Sequence, residues 1–242
     1  MGFEELEYLE QVNSIFTLIF VIISILLGVR ILLKYFSLKR KELLTIGFAW
    51  IFLTSAWWGG IYAFMSISFF NQQPSTYIFL FLSNIFVPLA LICWIFSLVH
   101  IFYQEKEKTI ITIVILIYLS YDILIIALLS IRTELVGTIE GNINSKPTII
   151  PLLFLFSAII TTIFTGLLFS IKSIKVDDPE IKLKGVILLI GFLSFSAAGI
   201  MDSLIADELP LLIIARLILI SSAIEYYLGF FLPKKISNRL KK

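Results

Sequence analysis

From residue 43 to residue 103 the chain has no Lys, Arg, Asp or Glu. An ordinary soluble surface cannot be built from such a stretch. The whole sequence, 242 residues with only 15% charged side chains and a mean hydropathy of +1.02, is equally short of solvating groups, which leaves the membrane-protein class. Cysteine is nearly absent too. Cys93 is the sole one, so no intramolecular disulfide can form. With one histidine, His100, neither a bis-histidyl haem site nor a histidine-rich zinc site can be assembled within the chain. No Gly-rich phosphate loop occurs. The first apolar stretch is preceded by Glu4, Glu5, Glu7 and Glu10, not by the basic region of a signal peptide, so it reads as a retained span.

What is present is length of apolar run. A bilayer core about 30 Å thick needs roughly 20 apolar residues per helix, and seven stretches qualify: 12–33, 43–70, 77–103, 109–131, 148–171, 185–204 and 209–232. Asn71-Gln72-Gln73-Pro74-Ser75 divides the charge-free run, Pro147 precedes the fifth span, and Pro179, Pro210 and Pro233 lie at or beyond helix ends. The expected fold is an all-α, seven-helix transmembrane bundle forming a single domain over residues 1–242.

Charge gives it an orientation. Arg30, Lys34, Lys39, Arg40 and Lys41 follow span one, Lys106 and Lys108 span three, and Lys172, Lys175, Lys182 and Lys184 span five. Lys234, Lys235, Arg239, Lys241 and Lys242 close the chain. All four sets fall on one side, opposite a side with Glu4, Glu5, Glu7, Glu10, Glu134, Glu140, Asp207 and Glu208. The positive-inside rule makes the basic side cytoplasmic, with the amino terminus out and the protein in the cell membrane as a multi-pass protein. The cations are then explained by topology and by anionic lipid head groups, and nothing points to nucleic acid.

Function is sought first among ionisable groups inside the spans, because a charge at mid-bilayer costs roughly 3 kcal/mol or more unless paired or hydrated. Asp122, Arg216, Glu225 and His100 are the candidates. Asp122 and Arg216 lie roughly 13 and 10 Å below the outer ends of their spans at 1.5 Å per residue, so an Asp122–Arg216 pair is expected, with Tyr118 one turn away as a hydrogen-bond donor. Arg216 and Glu225 are about 180° apart around span seven. Either both sides of that helix are contacted, Glu225 facing the interior with Ser221, Ser222 and Gly229, or Arg216 snorkels to Asp207 or Glu208. Cys93, Ser97 and His100 share a face of span three. His100 with Glu225 could relay protons, or the imidazole sits wet at the interface. Cys93 with His100 supplies a nucleophile and a base that nothing orients, and Asp202 lies nearer the surface than Asp122, so paired-aspartate proteolysis finds no match. The chain is not expected to be an enzyme.

Trp50, Trp57, Trp58 and Trp94 sit inside spans two and three. With Phe48, Phe52, Tyr62 and Phe64 they could wall a flat apolar ligand such as a polyene, quinone or lipid, or simply pack. Ser55, Ala56, Gly59 and Gly60, then Ala158, Thr162 and Gly166, then Ser194, Ala198 and Asp202, set small or polar residues on one face of spans two, five and six, as close helix approach in lipid requires.

In size, helix number and orientation the chain resembles a microbial rhodopsin, and Leu228-Gly229-Phe230 is similar to the stretch that follows the retinal lysine there. No lysine occurs in residues 209–233 and Tyr227 stands at the corresponding position, so the resemblance implies a sensory bundle without the retinal Schiff base. The layout is also similar to the seven-helix sensor regions of membrane histidine kinases. With only residues 234–242 after the last span, signalling is expected to pass through a partner, a second membrane or cytoplasmic protein or another copy. A transporter is the alternative, since Ile46-Gly47-Phe48 echoes Ile190-Gly191-Phe192 as in parallel triple-helix repeats. A structural subunit of a membrane complex is the third reading.

Overall fold

A computed structural model of the protein describes residues 2–204, 209–233 and 236. It is 85% helical and contains seven helical segments long and apolar enough to cross a membrane, close to those read from the sequence. The first is α1, Tyr8–Leu38. The second is α2, Glu42–Leu53, continued through a 3-10 turn, Thr54–Trp57, into α3, Trp58–Phe70. The third is α4, Thr76–Asn84, followed by α5, Phe86–Phe102. Then come α6, Glu107–Ile131; α7, Ile149–Ile174; α8, Pro179–Leu204; and α9, Leu209–Phe230. The helices outrun several expected spans because their charged ends, Glu42, Glu107 and Glu180 among them, stay helical past the apolar window.

Two features depart from a plain all-α bundle. Between α6 and α7 runs an antiparallel hairpin, β1 Gly137–Glu140 with β2 Asn144–Pro147, in the register Glu140↔Asn144. Its three-residue turn starts at Gly141, φ +65°, a conformation suited to glycine. Spans two and three are also interrupted in mid-course. Thr54 Oγ1 donates to Ile51 O at 2.7 Å and accepts from Trp58 Nε1 at 3.1 Å, a competing side-chain use of the helix backbone. In span three Pro88 lacks an N–H and crowds the carbonyl four residues back, that of Asn84, where α4 ends. The Asn84 amide donates to Leu80 O at 2.8 Å.

The chain divides into two compact units, Met1–Ala158 and Ile159–Lys242. In the first, Leu6, Ala63, Phe64, Ile67, Phe79, Leu80, Ile125 and Leu129 form a buried cluster that also takes in Val136 and Ile143 of the hairpin segment. Two close approaches hold its helices. A Cβ on Gly59 would lie 2.5 Å from Phe79 O of α4, and one on Gly47 would lie 2.9 Å from Gly28 O of α1. In the second unit Gly166 of α7 takes the Phe192 ring, while Gly191 of α8 faces Glu225 and Tyr226 of α9. Gly47 of span two thus packs on span one, whereas Gly191 of span six packs on span seven. The shared tripeptide does not mark equivalent contacts, and the repeat expected from it gains no support.

Candidate functional site

In the first unit Asp122 lies on the buried stripe of α6 with Tyr118, Ile125 and Leu129. It is 6% exposed, and its Oδ1 has no hydrogen-bond partner among the described residues. The bond expected from Tyr118 is therefore not made to that oxygen. Tyr118 instead turns its ring edge to Phe154 at 6.1 Å. The next residue along from Asp122 is better connected. Tyr121 stacks on Phe154 at 3.7 Å, and its hydroxyl donates to Asn84 Oδ1 at 3.3 Å. Asp122 is thus one residue from a hydrogen bond that ends on the interruption of span three.

The two interruptions lie against each other. Besides the Gly59–Phe79 approach, the Trp58 ring sits 5.1 Å from Phe86 and Phe52 stacks on Phe86 at 5.6 Å. Phe48 extends the row, stacked on Phe52 at 5.7 Å. Trp57 meets Phe20 of α1 edge-on at 5.2 Å, and Trp50 and Trp94 are buried. Phe48, Phe52, Trp58 and Phe86 thus form a row of packed rings that runs through both helix breaks, and Trp57 packs on α1.

At the far end of α5, His100 Nδ1 lies 2.8 Å from Glu107 Oε2 at the start of α6, and the imidazole stacks on Phe96 at 5.6 Å. The carboxylate beside this histidine is thus Glu107, seven residues along the chain. Glu225, the partner considered for a relay, is described in the other unit. One helical turn before His100, Ser97 Oγ donates to Cys93 O at 2.9 Å and shares a 2.6 Å hydrogen bond with Thr45 Oγ1 of α2. Replacing Ser97 by alanine is expected to cost between about 0.6 and 1.7 kcal/mol, the range of interhelical hydrogen bonds in membranes. A thermal midpoint unchanged from wild type would sink that expectation.

In the second unit Arg216 is 3% exposed, and its Nη2 pairs with Asp202 Oδ1 of α8 at 2.7 Å. Depth matching had assigned Asp122 to Arg216. The geometry gives it a carboxylate of the neighbouring helix that the sequence reading set nearer the surface. The alternative partners, Asp207 and Glu208, lie outside the described residues, as do Lys234, Lys235, Arg239, Lys241 and Lys242. The two expected faces of span seven are divided differently: Ser222 and Gly229, expected beside Glu225, are buried together with Arg216. Arg216 belongs to the buried stripe of α9 with Leu212, Leu219, Ala223 and Tyr226, whereas Ser221 is exposed and Glu225 half-buried. Glu225 Oε1 accepts from Ser221 Oγ at 2.7 Å within the same helix, a local bond of scaffolding character. The small-residue faces fare better: Ala158, Thr162 and Ala198 are all buried.

Sequence reasoning passed over Pro88, Asn84, Tyr121 and Glu107, and set Asp202 only on the small-residue face of its span and nearer the surface than Asp122. Pro88 was the available signal for the break in span three. The others are polar residues beside a named one, whose role depends on which neighbour helix they meet. No group of three or more metal-ligating side chains occurs among the described residues. No protein family, curated protein or solved structure matches this chain, so the functional reading has to come from geometry alone.

Proposed function

We propose that the chain is a receptor-like, sensory membrane module, amino terminus outside and carboxyl terminus cytoplasmic, that passes its state to a partner protein. Asp122 is the observation that carries this reading. An ionisable side chain within a membrane-crossing helix is expensive and is retained where it does something, and this one keeps a buried oxygen without a hydrogen-bond partner. In the proposed mechanism a change in what Asp122 binds moves Tyr121, and with it Asn84 at the break of span three. The α5 helix beyond that break carries the movement to the His100–Glu107 contact and so to the cytoplasmic turn between α5 and α6. A 3-10 turn in mid-helix is a common site of hinge motion, which suits the facing interruption of span two.

Transport is the second reading, because interrupted helices also build solute and ion sites near the bilayer midplane. One experiment separates the two. With Cys93 replaced by serine, a cysteine introduced as Glu105→Cys reports on the cytoplasmic turn through its rate of thiol modification. Asp122→Asn is expected to change that rate at least threefold, while reconstituted vesicles show no proton or solute flux above empty ones. Flux that Asp122→Asn abolishes would establish transport in its place. An unchanged rate without flux would sink the sensory relay.

A further inference from the structure

The buried face of α1 carries polar side chains between residues 10 and 24, interleaved with the buried Phe20 and Val21. Glu10, Asn13, Ser14, Thr17 and Ser24 are all buried there, while Ile15, Ile19, Ile22 and Leu26 on the other sides are exposed. Within this face Thr17 donates to Asn13 Oδ1 at 3.2 Å, but Ser14 Oγ and Ser24 Oγ have no hydrogen-bond partner among the described residues. Other helical serines of the unit return their hydroxyls to their own helix, Ser120 to Leu116 O and Ser130 to Ile126 O.

A third such hydroxyl lies at the level of Ser24. Ser55, in the 3-10 turn of span two, is fully buried, as Ser24 is, and its Oγ is likewise without a partner. Helix packing sets Ser24 and Ser55 at one level. Below them Gly28 abuts Ile51 and Gly47, and above them Phe20 meets Trp57. Buried hydroxyls in native proteins are almost always hydrogen-bonded, to protein or to ordered water. A line of them inside a membrane-length helix calls for water.

The amino-terminal end of this line is covered by the hairpin. Glu10, at the top of the polar face, takes both donors of one residue in the turn: Asn142 N donates to Oε1 at 2.8 Å and Asn142 Nδ2 to Oε2 at 2.8 Å. Glu7 N adds a bond to Oε2 at 3.2 Å. Gly141 lies so close that a Cβ there would stand 2.8 Å from Oε1. The turn is shaped around the carboxylate. Val136, just before the hairpin, and Ile143, in the turn itself, are buried in the apolar cluster. Two strands by themselves are marginal, so the tip rests on that apolar side chain and on this one polar contact.

We infer that the inward face of α1, residues 10–24, is a water-bearing track entering the first unit, and that the hairpin is its lid, latched by Glu10 and Asn142. The side from which water enters rests on the orientation proposed above. The track and the latch do not.

The test uses the full chain in vesicles, with Cys93 replaced by serine and one new cysteine at a time: Ser14→Cys, Ser24→Cys, and Ile22→Cys as a control on the exposed side. The probe is a small, charged, membrane-impermeant methanethiosulfonate. With the latch intact, Ser14→Cys should react slowly. Glu10→Gln or Asn142→Ala should raise its rate at least tenfold and bring Ser24→Cys into reach, leaving Ile22→Cys unchanged. Asn142→Ala leaves α1 untouched, so it keeps the lid testable if Glu10→Gln does not fold. Equal rates at position 14 with and without the latch would overturn the lid. Absence of reaction at positions 14 and 24 in every variant would overturn the track. Latch-dependent reaction from the carboxyl-terminal side alone would support the lid and overturn the orientation.

Discussion

Asp202→Asn should destabilise the second unit by about 3–5 kcal/mol, the cost of leaving one member of a buried ion pair without the other. Arg216 is the deeper partner at 3% exposure, while the Asp202 side chain is 23% exposed and can recruit water. The two single variants should therefore differ. Arg216→Met leaves a partly wetted carboxylate and should cost less than Asp202→Asn, which strands a buried guanidinium. Replacing both, as Arg216→Met with Asp202→Leu, should recover most of the loss, because apolar substitutes for a whole buried pair are often neutral or better. Thermal unfolding of wild type, Arg216→Met, Asp202→Leu and the double variant in one membrane mimetic closes the cycle. A coupling no larger than the ~0.6 kcal/mol typical of interhelical hydrogen bonds in membranes would mean that the pair is hydrated and structurally minor.

Gly59→Val is expected to be as damaging for a steric reason. Besides the Ser83 hydroxyl, a new Cβ would strike Phe79 O, 2.5 Å away, and a helix carbonyl cannot rotate aside as a side-chain tip can. Either α3 and α4 separate or the backbone distorts, and a loss of about 3 kcal/mol, at the upper end of overpacking costs, should follow. Gly59→Ala should already be harmful. Gly199 supplies the control, since a Cβ there meets nothing within 4 Å. Gly199→Ala should stabilise α8 by about 0.5–1 kcal/mol, the difference between the two residues in a helix interior. If both alanine variants melt together, close approach at Gly59 is not what holds α3 on α4.

Much of this architecture was legible because a helix long and apolar enough to cross a bilayer follows a simple rule. A run of about twenty apolar residues can be counted, and all seven runs became helices within a few residues of the expected limits. The breaks were harder. Pro88 marks one in plain sight, but the 3-10 turn at Thr54–Trp57 follows from a hydroxyl choosing Ile51 O, which no periodicity reveals. The hairpin carried only a local cue, Glu140-Gly141-Asn142, in a segment too short to read as strand. Among site residues, sequence identified which ionisable groups are buried far better than what they touch. Asp122 and Arg216 are both deeply buried, yet Arg216 pairs with Asp202. Pairing depends on azimuth as well as depth: counting residues from a helix end fixes depth, while the direction of a side chain around the axis acquires meaning only once the neighbours are known.

The division of the chain at residues 158 and 159 falls inside α7, not in a loop. Residues 149–158 are grouped with the hairpin and the six helices before it, and residues 159–174 with α8 and α9. A helix, not a tether, therefore joins the halves. No cut in an exposed connection releases either one intact, and a gene fusion or truncation placed at any loop boundary would strand part of α7 on the wrong side.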